Sequence, residues 1–234
     1  MIGGLKTLMG GVYLKNLQIA IDGPAGAGKS TVAKKLAEKL NITYVDTGAM
    51  YRALTYKALR DGIDIYNTGK IIELAKDTNI IMSQGSLYID NQLIHEEDIK
   101  GKDVTNYVSH VAKIATVRKI MVGLQKKIAS HSSVIMDGRD IATHVLPNAN
   151  IKIYLTASIE ERALRRYNEL LKKDKNINLV DIKDGIKERD KMDIEREHAP
   201  LSKAEDAIIL DTTGLDIDEV VSKIISLIEL QNLQ

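Results

Sequence analysis

The chain has 234 residues, and its 33 basic and 32 acidic side chains give a formal net charge of +1, which argues against nucleic-acid binding by bulk phosphate neutralisation. The length suffices for one domain with an inserted subdomain, or for two domains. Cysteine is absent, which excludes disulfides, cysteine-bound zinc and a thiol nucleophile and fits a reducing cytoplasm.

Residues 1–15 contain four glycines, and Gly10 and Gly11 interrupt their apolar stretch. No small-residue cleavage site follows, so the segment does not resemble a secretory signal. We expect a flexible N-terminal tail here. No stretch of the sequence approaches the length of a membrane span, so no membrane association is expected.

Residues 23–30 read G-P-A-G-A-G-K-S and match the phosphate-loop pattern G-x-x-x-x-G-K-[ST]. The apolar run at residues 17–22 precedes this segment and predicts a buried strand. Apolar residues at helical spacing follow it and predict an amphipathic helix; they are Val32, Ala33, Leu36, Ala37 and Leu40. The alternative is a glycine-rich turn before an ordinary surface helix, but the strand-loop-helix context favours a phosphate loop.

A loop of this kind directs several backbone N–H groups towards one point at the positive end of a helix, where polyphosphate oxygens can bind. Lys29 would reach the β- and γ-phosphates, and the Ser30 hydroxyl would ligate Mg²⁺. The sequence therefore predicts that the protein binds a nucleoside triphosphate.

Four further apolar runs predict strands, at residues 42–46, 134–137, 151–155 and 207–211. Most of them end at Asp, Gly or Thr, as expected for strands that are buried on both faces. Helical patterns separate the strands, and possible capping boxes open two helices, Ser158 with Glu161 and Asp216 with Glu219. This alternation predicts an α/β fold with a parallel sheet, which binds ligands beyond the carboxyl ends of its strands.

Residues 79–94 break the alternation, because they predict short strands around tight turns. Together with helices at about residues 68–76 and 104–111, they predict an inserted β-rich subdomain. Further along, residues 172–176 are charged and lack apolar periodicity. They form either a solvated linker between two charged helices or a mobile lid over the triphosphate.

Arginine is less frequent than lysine, 9 residues against 24, but eight of the nine arginines lie in four groups. The groups are Arg52; Arg118 with Arg139; Arg162, Arg165 and Arg166; and Arg189 with Arg196. A planar guanidinium group binds phosphate through two parallel hydrogen bonds, which an ammonium group cannot do. We therefore expect the set to converge on an anionic substrate, although Arg165 and Arg166 also fit a solvated helix face.

Four segments, taken in order, carry a family resemblance: G-P-A-G-A-G-K-S-T, D-T-G-A-M-Y-R, D-G-R-D and I-K-E-R-D-x-x-D-x-x-R-x-x-A-P-L. From about residue 17 onwards the chain resembles the bacterial cytidylate kinases. The resemblance implies an adenylate-kinase-like P-loop NTPase fold with three layers and a parallel five-stranded sheet. It places the kinase core at residues 16–67 and 114–234, a short lid at about 158–198, and an inserted nucleoside-monophosphate-binding subdomain at 68–113.

The resemblance also implies the reaction, which is transfer of the γ-phosphoryl group of ATP to CMP or dCMP in pyrimidine nucleotide metabolism. By position in the family's motifs, ATP would be held by Gly23, Pro24, Ala25, Gly26, Ala27, Gly28, Lys29, Ser30 and Thr31. The acceptor phosphate would be held by Arg52, Arg139 and Arg196. Cytosine would be surrounded by Thr47, Tyr51, Ser109, Arg118 and Asp140, and the pentose would be bound by Arg189 and Asp193.

Phosphoryl transfer depends on positioning and charge stabilisation, and the acceptor phosphate oxygen is already anionic, so no general base is expected. The predicted catalytic side chains are Lys29, Arg139, Arg162 and Arg196. Asp137, at the end of a predicted strand, either holds Mg²⁺ through water or caps the adjacent turn.

Asp140 is the residue that we expect to select the base. A carboxylate accepts a hydrogen bond from the exocyclic amine of cytosine, whereas uracil presents a carbonyl group at that place. Sites that depend on such hydrogen bonds reject the wrong partner by roughly 10⁴-fold or more. The alternative is a structural ion pair of Asp140 with Arg118 or Arg139, and both roles can coexist.

Two other functions are compatible with the phosphate loop. One is a P-loop kinase for UMP, AMP or dTMP, and the other is a nucleotide-dependent regulatory switch. The sequence has no guanine-reading N-K-x-D segment, and a regulatory ATPase would not need arginines on the acceptor side. We expect a cytoplasmic protein whose partners are small nucleotides (ATP, CMP and dCMP), with no nucleic acid, and the family resemblance implies a monomer.

Overall fold

The computed structural model describes residues 16–83, 85–172 and 176–231. In chain order the strands are β1 (Gln18–Asp22), β2 (Thr43–Asp46), β3 (Ile80–Ser83), β4 (Ser86–Ile89), β5 (Gln92–Ile94), β6 (Val134–Gly138), β7 (Ile151–Thr156) and β8 (Ile208–Asp211). Five of them form one parallel sheet in the order β2-β6-β1-β7-β8, and the other three form a separate antiparallel sheet.

The α-helices in chain order are α1 (Lys29–Leu40), α2 (Thr47–Arg60), α3 (Thr68–Asp77), α4 (Glu96–Ile99), α5 (Lys102–Ala112), α6 (Ala115–Ala129), α7 (Ile159–Leu171), α8 (Leu179–Glu195) and α9 (Ile217–Gln231). A π-helical turn spans Ile141–Val145. None of the described helices combines the length with the apolar character that crossing a bilayer requires.

The structure confirms the predicted α/β class and the parallel five-stranded sheet, with each strand within one residue of its predicted bounds. Strand β8 differs from the expectation of burial on both faces, since the side chain of Ile209 is 59% exposed. The reason is its place at the edge of the sheet, next to β7 alone. The predicted tail at residues 1–15 and most of the predicted linker at 172–176 lie outside the described residues.

Two apolar cores cover the two faces of the parallel sheet, because successive side chains of a strand point to opposite sides. On β1, Ile19 and Ile21 pack with α1 and α9 in one core, whereas Ala20 packs with α2 and α6 in the other. Ile, Leu, Val and Ala make up most of both cores, and among the described residues methionine is buried only in the core that contains α2 and α6. The sheet is therefore held rigidly between two helical layers.

The strands predicted between residues 79 and 94 are confirmed as the three-stranded sheet β3-β4-β5. Their inward residues Ile80, Leu87 and Ile89 belong to the same apolar core as α2 and α6. The inserted sheet is thus fixed against the main body through α2, which also carries part of the D-T-G-A-M-Y-R segment. The division into a core and a subdomain at 68–113 stays a prediction.

The register of the parallel sheet places the carboxyl ends of β1, β2 and β6 side by side, at the carboxyl edge of the sheet. Asp22 of β1 lies beside Gly138 of β6, and Asp46 of β2 lies beside Asp137 of β6. The phosphate loop, the D-T-G-A-M-Y-R segment and the D-G-R-D segment all leave the sheet at this edge. A ligand site is expected there.

Candidate active site

The phosphate loop lies between β1 and α1. Gly23 adopts a φ of +149°, and a Cβ atom at this position would lie 1.9 Å from the main-chain oxygen of Leu155 in β7. Glycine is required because the loop passes so close to the neighbouring strand. Gly28 caps the amino end of α1, which begins at Lys29. The strand-loop-helix arrangement predicted from the sequence is confirmed.

Lys29 is buried beneath the loop, and its Nζ donates a hydrogen bond of 2.7 Å to the main-chain oxygen of Pro24. Burial lowers the pKa of this ammonium group, and the nearby positive charge of Arg139 lowers it further. An anion bound beside Lys29 would raise the pKa again and stabilise its charged form. The side chain is therefore suited to hold phosphate.

Asp137 accepts hydrogen bonds from two hydroxyl groups. Ser30 Oγ donates to one carboxylate oxygen at 2.8 Å, and Tyr44 Oη donates to the other at 2.9 Å. The main-chain oxygen of Asp137 accepts a further bond of 2.7 Å from Thr47 Oγ1. Burial raises the pKa of the Asp137 carboxyl group, and the negative charge of Asp46 raises it further. A cation at this position would favour the ionised form.

Two aspartates join three of the predicted arginines. Arg139 Nε donates to Asp193 at 2.6 Å, and Arg196 lies between the two aspartates, 3.5 Å from Asp140 and 3.8 Å from Asp193. Arg118 pairs with the other oxygen of Asp140, and both side chains are buried. Of the two ion pairs considered for Asp140, the structure contains the one with Arg118, while Arg139 pairs with Asp193 instead.

Arg52 and Arg189 add positive charge beside Arg139. Burial, together with the charges of Arg139 and Arg52, lowers the pKa of Arg189 to about 9. The buried Nε of Arg189 has no hydrogen-bond partner among the described residues. Arg52 donates to the main-chain oxygen of Ile99 at 3.3 Å and to Thr105 Oγ1 at 3.1 Å, and so contacts the insertion. Such a concentration of partly buried guanidinium groups suits a bound phosphate.

Of the other residues expected around cytosine, Tyr51 contacts the same ion pair. The guanidinium carbon of Arg118 lies 5.5 Å from the ring centroid of Tyr51, in a cation–π contact. Burial raises the pKa of Tyr51 to about 12, so its hydroxyl remains a hydrogen-bond donor at neutral pH. Ser109 is half-buried and lies one helical turn after Thr105 on α5. It is the member of this set that comes from the insertion.

Arg162 points at the main chain of the phosphate loop. Its Nη1 donates to the Ala25 oxygen at 2.9 Å and pairs with Asp190, and its Nε donates to the Ala157 oxygen at 3.1 Å. These bonds direct the guanidinium group to protein acceptors, and a direct contact with the transferring phosphoryl group stays a prediction. The sequence analysis did not single out Asp190, although it follows Arg189 within the I-K-E-R-D segment.

The two remaining arginines of α7 have different surroundings. Arg165 donates to Thr212 Oγ1 at 2.9 Å and to the Thr212 main-chain oxygen at 2.7 Å, which ties α7 to the loop after β8. Arg166 forms a pair with Glu169 at 2.7 Å along the helix. Besides burial, the charge of Arg166 lowers the pKa values of Arg52 and Arg189, so neither arginine fits a fully solvated helix face.

Asp22 is a buried carboxylate that the sequence analysis did not single out. Its two oxygens accept hydrogen bonds of 2.8 Å from the N–H groups of Ile141 and Ala142, which open the π-helical turn after the D-G-R-D segment. Asp22 therefore caps this turn. The sequence analysis gave Asp137 as the alternative capping residue, and the structure assigns the cap to Asp22 instead. Burial raises the pKa of Asp22 to about 6. Its position at the end of an apolar strand, directly before the phosphate loop, was the available signal.

Comparison with known proteins decides the family. The family model for cytidylate kinase matches residues 19–230. The chain belongs to the cytidylate kinase family. A cytidylate kinase of Alkaliphilus oremlandii (strain OhILAs) is 59% identical over 213 residues, which cover 91% of this chain and 98% of that protein. The cytidylate kinase of Clostridioides difficile (strain 630) is 52% identical over 215 residues, which cover 92% of this chain and 99% of that protein.

Among solved structures, an uncharacterized protein from Eubacterium ventriosum has a similar fold. It aligns with a TM-score of 0.53 at 18% identity and covers 92% of this chain and 99% of its own. At this identity the likeness concerns the fold alone. The resemblance to cytidylate kinases that the four sequence segments indicated is confirmed by the family match.

Proposed function

We propose that this chain transfers the γ-phosphoryl group of ATP to CMP or dCMP, giving ADP and CDP or dCDP, in pyrimidine nucleotide metabolism. Membership of the cytidylate kinase family supports this reaction, and that family uses ATP as phosphate donor. The observation that carries the proposal is the convergence of a phosphate loop with partly buried arginines. Arg139 lies close enough to Lys29 for its charge to lower the pKa of the lysine.

ATP would bind to residues 23–31, with its phosphates at the amino end of α1 beside Lys29. The acceptor phosphate would be bound by Arg52, Arg139 and Arg196. Since the attacking phosphate oxygen is already anionic, the protein has to supply position and positive charge rather than a base. Lys29, Arg139 and Arg196 would stabilise the negative charge on the transferring group.

Asp140 would read cytosine by accepting a hydrogen bond from its exocyclic amine. The ion pair with Arg118 would hold this carboxylate in place. The other residues proposed to contact the nucleoside are Thr47, Tyr51 and Ser109 for the base, and Arg189 and Asp193 for the pentose. Because Asp193 accepts a hydrogen bond from Arg139, the pentose and the phosphate would be positioned by connected side chains.

We further propose that Mg²⁺ accompanies ATP and is held by Ser30 and, through water, by Asp137. The Ser30 hydroxyl and the Asp137 carboxylate are hydrogen-bonded at 2.8 Å, so both lie at one point beside the loop. Hydroxyl and carboxylate oxygens are ligands that fit Mg²⁺. When bound, the ion neutralises charge on the phosphates.

An assay of ADP release with ATP, Mg²⁺ and each monophosphate in turn tests the proposal. CMP and dCMP should accelerate ADP release far more than UMP, AMP or dTMP. Arg139→Met should abolish the CMP-dependent release, whereas Arg60→Met, at an exposed arginine, should leave it unchanged. ADP release without dependence on any monophosphate would instead indicate a regulatory ATPase. Fastest release with UMP, AMP or dTMP would contradict the proposed base choice.

We also propose that residues 68–113 form the monophosphate-binding subdomain and that residues 158–198 form the lid. The contacts of Arg52 with Ile99 and Thr105 support the first assignment, because they connect a proposed phosphate-binding side chain to the insertion. We also propose a monomer, as the resemblance to the cytidylate kinases implies. Small intracellular nucleotides as substrates support a cytoplasmic location without membrane or nucleic-acid partners. Light scattering should give a mass near 25.9 kDa, and a twofold higher mass would contradict the monomer.

A further inference from the structure

The main chain of one phosphate-loop residue, Ala25, is held on both sides by one ion pair. The N–H of Ala25 donates to one oxygen of Asp190 at 2.9 Å, and the carbonyl of Ala25 accepts from Arg162 Nη1 at 2.9 Å. The same Arg162 nitrogen pairs with the second oxygen of Asp190. Ala25, Asp190 and Arg162 therefore form a closed ring of hydrogen bonds.

This ring is buried and supported by packing. Asp190 and Arg162 are each 9% exposed. The Ala25 side chain packs in a small apolar cluster with Ala163 of α7 and Ile186 of α8. At the next residue, a Cβ atom on Gly26 would lie 3.1 Å from the Cβ atom of Arg162, so α7 lies directly against the loop.

We propose that Asp190 is a positioning residue for ATP binding, which acts with Arg162 by fixing the orientations of the two peptide groups that flank Ala25. This inference rests on the proposed function of the loop as the ATP site. Because Asp190 occupies the Ala25 N–H, that group is directed away from the phosphates. The N–H groups that follow in the loop are then presented to the triphosphate. Arg162 supports the loop in the same way, since its hydrogen bonds end on protein atoms.

The isosteric change Asp190→Asn tests this role. An asparagine side chain can still accept from the Ala25 N–H, but it cannot at the same time accept from Arg162 with a charged oxygen. The buried guanidinium then lacks its counter-charge, and the ring of hydrogen bonds opens between position 190 and Arg162. The loss of one charge-assisted hydrogen bond of this kind corresponds to a decrease in affinity of roughly 10- to 100-fold. We expect ATP affinity to fall by about that factor.

The measurement is the dissociation constant of a fluorescent ATP analogue with the full chain and no acceptor, followed by the KM for CMP at saturating ATP. Asp190→Asn should weaken the analogue by at least tenfold and change the KM for CMP by less than about twofold. The control is Asp184→Asn, which removes an exposed carboxylate from the same helix, 3.2 Å from Lys187. It should change neither quantity.

Three results would overturn the proposal: analogue binding unchanged within twofold, equal weakening of ATP and CMP, or equal effects in the Asp184→Asn control. If Asp190→Asn does not fold, Arg162→Lys gives the same test, because lysine keeps the charge but cannot bond to Asp190, Ala25 and Ala157 together. A different result would refute the proposed kinase function. A wild-type protein that binds the analogue without phosphorylating CMP would refute that function and leave the binding comparison intact.

Discussion

Replacement of Asp140 by alanine is the sharpest test of base selection. The change would remove a charge-assisted hydrogen bond to the cytosine amine, worth about 1.5–3 kcal/mol. It would also remove the counter-charge of Arg118 and, at 3.5 Å, of Arg196, both of which are largely buried. A displaced Arg118 would add a loss of similar size, so kcat/KM for CMP should fall by about 10³-fold. ATP affinity should change by less than about threefold, because the ion pairs of Asp140 are with Arg118 and Arg196, outside the phosphate loop.

Asp140→Asn separates charge from shape. The amide oxygen can accept from cytosine, and the turned amide can donate to the carbonyl of uracil, so the preference for CMP over UMP should shrink. Steady-state rates with both acceptors measure the ratio, and binding of an ATP analogue without acceptor measures the donor site. Asp103→Asn, at an exposed position on α5, is the matched control.

Two outcomes would refute this reasoning. Equal losses of CMP use and ATP binding in Asp140→Ala, together with a lower melting temperature, would show that the ion pair with Arg118 serves folding alone. An unchanged ratio of CMP to UMP in Asp140→Asn would show that another group reads the base.

Three further predictions concern the supports of the site. Gly23→Ala should lower the free energy of unfolding by about 3 kcal/mol or more, because the new Cβ atom would lie 1.9 Å from the main-chain oxygen of Leu155. The control Gly185→Ala, where α8 has open space for a Cβ atom, should raise the free energy of unfolding slightly. Equal midpoints of urea unfolding for the two variants would contradict this prediction. The pKa of Asp22 is about 6 in the folded chain against the usual 3.8, so the folded state binds the proton more tightly than the unfolded state does. The free energy of unfolding, relative to that of Asp22→Asn, should therefore fall by up to about 3 kcal/mol as the pH rises from 4 to 7. A free energy of unfolding that rises over that pH range, measured by urea titration, would contradict this prediction. Tyr44→Phe should cost about 1.5–3 kcal/mol of stability through the lost 2.9 Å bond to Asp137, and thermal unfolding that matches the wild type would count against it.

Local patterns in the sequence located the elements of the main sheet to within one residue. Short apolar runs, each followed by a helical pattern, leave little choice other than buried parallel strands. The phosphate loop was equally clear, because its glycines, Lys29 and Ser30 lie within eight consecutive residues. Strands β2 and β8 were the exceptions in burial, since a sequence window does not reveal which strands lie at the edges of a sheet.

The four motifs by themselves identified the family and the set of residues to examine, since each motif is local. The tertiary structure decided which of those residues meet. Arg139 pairs with Asp193 rather than with its sequence neighbour Asp140, because α8 returns to the carboxyl edge of the sheet. Likewise, Asp190 reaches the N–H of Ala25 across 165 positions of the chain. Contacts of that separation depend on how whole helices pack, and no spacing rule in the sequence encodes them.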